Sequence, residues 1–380
     1  MGPLQPRHGR ERKAGDRGHG GLHRRLPPRH LHESWRACPE FLRGLSYMKI
    51  LERVLIAGGS EPHSRALAGV QQLENGDLLV GYRLASRHVV GDHDMIDDGA
   101  VVTTRSSDSG RTWSEPHPVA ALPGWDCSGG NRMVQTPDGD LVIFVMKARR
   151  VGSPESHVHP ICSTDGGLTW GPMGEELALF DASTEPHAMD HALITSDGDW
   201  MLPIYGADEP GGSTHAAVAF SSDMGRTWGH KTVVARSSKI IFYEPAVIRL
   251  PDGRFMAVIR TQEPPFDSYL SYSSDEGRTW TEPRPQPFQG QTPFLFQLRS
   301  GAVACFYRDR DPKRPGVSVS MTADGGETWK YAAQVYQGTD WNCGYPSVVR
   351  LPDRRLFCVY YSCYEAFNSE VHGVYLSEDE

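Results

Sequence analysis

One eight-residue element constrains this chain more than any other feature. Ser/Thr-x-Asp-x-Gly-x-Thr-Trp recurs at Ser106–Trp113, Ser163–Trp170, Ser221–Trp228, Ser273–Trp280 and Thr322–Trp329. The tryptophans are 57, 58, 52 and 49 residues apart, and a sixth copy opens at Ser377-Glu378-Asp379. A near-constant period of this size marks a repeat architecture. The element explains itself structurally. Its Asp can accept backbone N–H bonds in a tight turn, its Gly supplies positive φ, and its Trp packs between strands. Five copies cannot all be catalytic centres, so they identify architecture rather than chemistry.

A second element alternates with the first. Short turns flanked by apolar runs occur at Glu74-Asn75-Gly76, Pro137-Asp138-Gly139, Ser196-Asp197-Gly198, Pro251-Asp252-Gly253, Arg299-Ser300-Gly301 and Pro352-Asp353-Arg354. Asn-Gly and Asp-Gly between β-rich runs are strong hairpin signals. The sixth turn lacks the glycine, which makes its geometry the one expected to differ. Six units of about 55 residues, each long enough for four strands, bury their sheet faces on one another when arranged radially. The expected fold is all-β: a six-bladed β-propeller of four-stranded antiparallel blades. Its first strand, near Leu51–Ala57, and its last, near Val374–Ser377, are expected to share one blade and close the ring.

Composition narrows the function classes. No apolar stretch reaches the ~18–20 residues of a membrane span, and the N-terminus lacks the apolar core of a secretory signal. The seven cysteines form no C-x-x-C pair, so they read as mostly free thiols in a reducing, cytoplasmic setting. A disulfide scaffold, a zinc finger and a membrane partner are not expected. Net charge is −8, unevenly spread: residues 1–47 hold 10 Lys+Arg against 4 Asp+Glu, and the rest is strongly acidic. Nucleic acid is therefore not an expected partner. Residues 1–47 show no helix or strand period and read as a disordered basic tail or a non-native extension upstream of Met48. Residues 48–380 read as the propeller domain. The oligomeric state is left open.

The eight-residue elements resemble the Asp boxes of the sialidase (neuraminidase) superfamily, over residues 50–380. The resemblance implies an exo-glycosidase that needs no cofactor and releases terminal α-linked sialic, or related nonulosonic, acid with retention. Such a substrate carries a carboxylate on its anomeric carbon. Arginines can hold that group by bidentate charge-assisted bonds. A carboxylate nucleophile would be repelled by it, so a neutral Tyr deprotonated by a Glu suits the chemistry better, and sialidases are a known Tyr-nucleophile class. An Asp then protonates the leaving oxygen.

The turns locate candidates for these roles. Glu244 lies nine residues before Gly253 and Tyr345 nine before Arg354, equivalent places in blades 4 and 6. The segments Phe242-Tyr243-Glu244-Pro245 and Cys343-Gly344-Tyr345-Pro346 resemble the family's Glu and Gly-Tyr strands, with Pro346 where many members carry Ser. Arg260, seven residues past Gly253, resembles the family's second arginine. Arg314 is favoured for the third, with Arg308 and Arg310 as rivals. Arg65 is the only arginine on the first inner strand, although the family's Arg-Ile-Pro context is missing. These like charges are expected to lie close together and partly solvated. The acid is sought in Asp92-His93-Asp94-Met95-Ile96-Asp97-Asp98, with Asp94 ahead of Asp92. Arg132, His187, Asp190 and Gln291 project toward the same channel by position and are candidate substrate contacts. The His187, Asp190, His191 cluster lacks a further Cys or His at fixed spacing, so no metal is expected. Two rival functions stay open: a hydrolase or lyase acting on another acidic sugar, and a non-catalytic propeller that binds carbohydrate or protein.

Overall fold

The hairpin turns and boxes divide the strands into six antiparallel sheets in the computed structural model. It describes residues 48–378 apart from 60–62, 89–95, 130, 132, 152–153 and 366–367. The expected tail over residues 1–47 therefore lies outside the described residues.

Blade 1 runs outward through Ser64–Gln72, Leu78–Ala85, Ala100–Ser106 and His117–Ala120. Blade 4 uses Phe242–Arg249, Phe255–Thr261, Tyr269–Ser273 and Arg284–Pro285. Blade 5 uses Gly290–Gln297, Val303–Asp309, Gly316–Thr322 and Lys330–Gln337. In blades 2 and 3 the inner strand is broken into two short pieces, Asp126–Ser128 with Met133–Gln135 and His187–Ala188 with Leu193–Ile194. Blade 6 takes Cys343–Arg350, Leu356–Glu365 and Asn368–Leu376 from the end of the chain. Its outer strand, Ile50–Ala57, comes from the beginning and pairs with Asn368–Leu376. Ring closure thus occurs in the blade anticipated from sequence, and it ties the two ends of the propeller by backbone hydrogen bonds.

Each box holds its own turn and reaches toward a neighbouring blade. In the first, Asp108 Oδ1 accepts from the amides of Arg111 and Thr112 at 3.0 and 2.9 Å. Its Oδ2 accepts from the Thr112 hydroxyl at 2.6 Å. The Trp113 indole donates to the Gly110 carbonyl at 3.0 Å and stacks on Phe357 of blade 6. Gly110 sits at φ +92°, and a Cβ there would lie 2.9 Å from the Phe357 ring. The glycine is required for backbone conformation and for the close approach of blade 6. Trp228 of blade 3 packs in the same way on Phe144 of blade 2, at 5.3 Å edge-on. The boxes are inter-blade fasteners, as their repetition implies.

The sixth turn does not differ from the others. Arg354 adopts φ +75° and donates its amide to the Leu351 carbonyl at 2.9 Å, matching the Gly253-to-Leu250 bond of the fourth turn. The closing ladder imposes the left-handed conformation on a residue with a Cβ, at a cost of about 1–2 kcal/mol. Arg354 is exposed, so little is lost by removing its side chain. Arg354→Gly is expected to raise stability by about 1 kcal/mol, an upward Tm shift of roughly 2 °C in calorimetry. A lower Tm would show that the turn is not strained.

The inner strands of neighbouring blades pack on one another around the axis. Four of them carry a register shift near the channel mouth, at Ala66/Gly69, Tyr243/Ala246, Gln291/Phe294 and Gly344/Ser347. A non-glycine residue with positive φ sits at each: Leu67 (53°), Glu244 (45°), Thr292 (50°) and Tyr345 (51°). In blade 3 the corresponding interruption holds Asp190 at φ 60°. Such conformations cost roughly 1–3 kcal/mol each and persist where surrounding structure enforces them. Bulges re-aim side chains, and here they give the functional candidates a common placement.

Candidate active site

Glu244 and Tyr345 meet at the channel mouth, although 101 residues separate them. The Tyr345 hydroxyl donates to Glu244 Oε1 at 2.5 Å. Gly344 makes this placement possible. It lies at φ +131°, and a Cβ there would come within 2.9 Å of Arg308 Nε and 3.1 Å of the Thr292 hydroxyl. The Tyr345 amide donates to that same hydroxyl at 3.1 Å, which pins the bulge to blade 5.

Arginines surround the pair. Arg260 Nη1 lies 2.7 Å from Glu244 Oε2, and its Nη2 donates to Gln262 Oε1 at 2.9 Å. Arg260 Nε is buried with no hydrogen-bond partner among the described residues. Arg308 is also buried. Its Nε donates to the Cys343 carbonyl, its Nη2 donates to the Tyr361 hydroxyl at 3.1 Å, and its guanidinium lies 5.6 Å from the centre of the Tyr345 ring. Burial would raise the Glu244 carboxyl, but the Arg260 guanidinium, with the Tyr345 hydrogen bond and the Arg308 charge, outweighs it and holds the group below its ordinary value. Tyr345 moves the other way, raised by burial and by the Glu244 charge. The resting pair is therefore an ionised Glu244 accepting from a protonated Tyr345.

The third arginine differs from the sequence expectation. Arg314 does not join Tyr345. It lies between two strands of blade 5, pairs with Asp309 at 3.3 Å and Asp311 at 2.9 Å, covers the Tyr331 ring, and keeps a side chain 41 % exposed. Arg308 occupies the place instead. The reason is register: Arg308 stands seven residues past the Gly301 turn, as Arg260 stands seven past Gly253. Equal distances along equivalent strands bring both to the channel mouth, whereas spacing from the box does not. Arg308 is buried rather than partly solvated, because carbonyl and phenol oxygens solvate it, whereas Arg260 keeps a side chain 14 % exposed beside the Glu244 that neutralises it.

The same register exposes residues that the sequence reading passed over. Seven past their turns lie Arg83 in blade 1, Tyr205 in blade 3 and Tyr361 in blade 6. Arg83 Nε pairs with Asp126 at 2.7 Å, and its Nη2 is buried without a partner among the described residues. Asp126 also receives Arg150 at 3.3 Å. His88 stands within the field of both Arg83 and Arg308. Burial, helped by those charges, lowers it to about 4, so it is neutral at pH 7. Its ring nitrogens contact the Ser64 hydroxyl at 3.1 Å and Asn342 Oδ1 at 2.9 Å.

The remaining candidates fall as follows. Arg65 lies beside Tyr82, donates its amide to the Ser369 hydroxyl at 2.9 Å, and has Nη1 buried without a partner among the described residues. No described contact links it to Tyr345. His187 stacks on Tyr205 at 5.0 Å, and Tyr205 meets Tyr243 at 4.9 Å, an aromatic wall leading to Arg260. Gln291 is buried, donating to the Thr261 carbonyl at 3.2 Å and accepting from Arg310 at 3.3 Å. Asp190 Oδ1 accepts from the His191 ring at 2.6 Å, while Oδ2 is buried without a partner among the described residues. Asp190, Thr292 and Tyr345 line one small cavity together with Asn131. Asp92, Asp94 and Arg132 lie outside the described residues. Among the described residues, no group of three or more His, Cys, Asp or Glu is arranged to hold a metal ion. No described helix is long and apolar enough to cross a membrane.

Comparison with known proteins agrees with this fold. The family model described as a BNR repeat-like domain matches residues 100–358. A curated sialidase from Micromonospora viridifaciens is 23 % identical over 316 residues, covering 73 % of this chain and 47 % of that protein. The chain thus spans about half the length of the curated relative it matches. Among solved structures, a protein of unknown function from Dyadobacter fermentans superposes with a TM-score of 0.76 at 21 % identity, covering 87 % of this chain and 99 % of that one. An α-L-arabinanase from Penicillium chrysogenum, solved with arabinobiose, gives 0.68 at 14 % identity, covering 86 % and 98 %. With the boxes, the six closed blades and the family match over most of the ring in agreement, the chain belongs to the BNR repeat-like domain family, within the sialidase superfamily of six-bladed propellers.

Proposed function

We propose that this protein is a retaining exo-glycoside hydrolase that removes a terminal α-linked acidic sugar of the sialic, or nonulosonic, type. The observation that carries this reading is the 2.5 Å Tyr345–Glu244 contact flanked by the guanidiniums of Arg260 and the buried Arg308. Two positive charges meet one carboxylate there. An uncompensated buried charge is costly, so the site favours an anionic ligand. The substrate carboxylate lies against Arg260 and Arg308, with Arg83 and Arg65 as further contributors from blade 1. Tyr345 Oη attacks the anomeric carbon as Glu244 Oε1 takes its proton. The glycosidic oxygen leaves with a proton from the blade 1 loop that carries Asp94 and Asp92. That group, now a base, activates water, and attack of water on the anomeric carbon releases Tyr345 and the sugar with retained configuration. The scheme needs no cofactor. Because burial and Glu244 keep the phenol protonated at rest, proton transfer accompanies attack.

The arabinanase likeness supports a different reading less well. A neutral arabinose residue has no carboxylate to balance the charge that Arg308 adds beyond the Arg260–Glu244 pair.

The test is a panel of fluorogenic α-sialosides and uronides, with the product anomer followed by NMR. Turnover of an α-sialoside with the α-anomer appearing first is expected. The acid limb of kcat/KM should lie below the ordinary carboxylate range, since Glu244 must be ionised and its neighbours hold its carboxyl under the usual value. Turnover of uronides alone, or an inverted first product, would overturn the reading.

A further inference from the structure

Arg310 is held as a plate at the rim of the same site. Its guanidinium stands 4.1 Å from the centre of the Phe266 ring and 4.4 Å from that of Trp341. Its Nη1 donates to Gln291 Oε1 at 3.3 Å. These contacts come from blade 4, the entry to blade 6 and the inner strand of blade 5, so three blades fix one side chain. Phe266 sits at φ 63°, an unfavourable conformation for a bulky residue, which the loop maintains. Trp341 is 46 % exposed, unusual for an indole already packed against a guanidinium. Burial and the charges of Arg308 and Arg260 all disfavour a further cation at Arg310. A flat, pre-ordered guanidinium beside a half-exposed indole is suited to a carboxylated pyranose, the acid on the fork and the ring face on the aromatic.

Charge counting selects the ligand. Of the three guanidiniums of Arg260, Arg308 and Arg310, which share one field, only Arg260 has a carboxylate ion-pair partner among the described residues, Glu244. One substrate carboxylate still leaves a positive charge, located at the rim. We infer that Arg310, Trp341 and Phe266 form a second acidic-sugar subsite, so that the preferred substrate presents two consecutive acidic sugars. This rests on the proposed function, since the first sugar is the one cleaved beside Tyr345.

The test compares a disialic acid substrate with an aryl α-sialoside in the wild type, Arg310→Gln and Trp341→Ala. The ratio of kcat/KM for the two substrates is expected to fall at least tenfold in each variant. In the wild type the ratio should also decline between low and high salt, as a rim charge pair is screened; in Arg310→Gln it should not. A ratio unchanged by both variants would overturn the subsite, as would an equal loss on a sialoside whose neighbouring sugar is neutral. If the wild type turns over no sialoside, the proposed function fails. Calorimetric binding of disialic acid to wild type and Arg310→Gln then decides the rim separately: weaker binding in the variant supports it, and equal or absent binding overturns it.

Discussion

Tyr345→Phe is expected to lower kcat on an α-sialoside by about three orders of magnitude or more, while a dehydrated sialic acid analogue still binds within a few-fold of wild type. In the proposed mechanism the phenol is the attacking group, so its loss removes the covalent step, while the arginines proposed to hold the carboxylate are untouched. Glu244→Gln should cost nearly as much, about 10²–10⁴-fold, because the 2.5 Å contact then lacks a proton acceptor of sufficient basicity. The double variant should be no worse than the poorer single one, since base and nucleophile act as a unit. Glu244→Gln also leaves Arg260 without its carboxylate, and losing one partner of a buried pair costs about 3–5 kcal/mol. Its Tm must therefore be read beside its rate. Wild-type turnover by Tyr345→Phe would eliminate the Tyr mechanism.

The second large effect separates the two rival arginines of blade 5. Arg308→Ala should reduce kcat/KM about 100-fold or more and weaken the analogue comparably, because a buried charge-assisted contact is worth several kcal/mol. Arg308→Lys should recover little, since an ammonium cannot reach the Cys343 carbonyl, the Tyr361 hydroxyl and the substrate in one plane. Arg314→Ala should stay within about threefold on the same substrate, because its ion pairs are with the buried Asp309 and with Asp311, and no described contact joins it to Tyr345 or Glu244. Equal losses for both alanine variants would mean that the Arg308 placement does not control substrate binding.

Much of the fold was legible because its information is local. An Asp accepting from the amides of nearby residues, a Gly at positive φ and a Trp three positions on are decided within eight residues. Repeating them at near-constant spacing implies both blade number and strand count. The turns did the same for register. Once a hairpin turn is placed, the period-two alternation of strands determines which side chains share a face. That is why Glu244 and Tyr345, both nine residues before their turns, could be paired in advance. The same count marks Arg308, Arg83 and Tyr361, all seven residues past theirs, whereas Arg314 lies beyond that strand position, in the loop before the strand that leads to the fifth box.

Other features are not local, and sequence could not supply them. Whether the sixth turn would bend differently without its glycine depended on the ladder of blade 6, which forces Arg354 into a left-handed conformation. Whether arginines near an anion site would be solvated depended on what the next blade brings against them. Arg308 is buried because the Cys343 carbonyl and the Tyr361 phenol arrive from blade 6. Arg310 becomes a rigid plate because Phe266 and Trp341 close on it from either side. The sequence by itself determined blade number, ring closure and the register of each channel-facing residue, since hydrogen-bonded turns and strand alternation act over a few residues. Only the tertiary structure decided which of those residues touch, because side chains from different blades meet when the ring closes, at distances that no spacing along one strand contains.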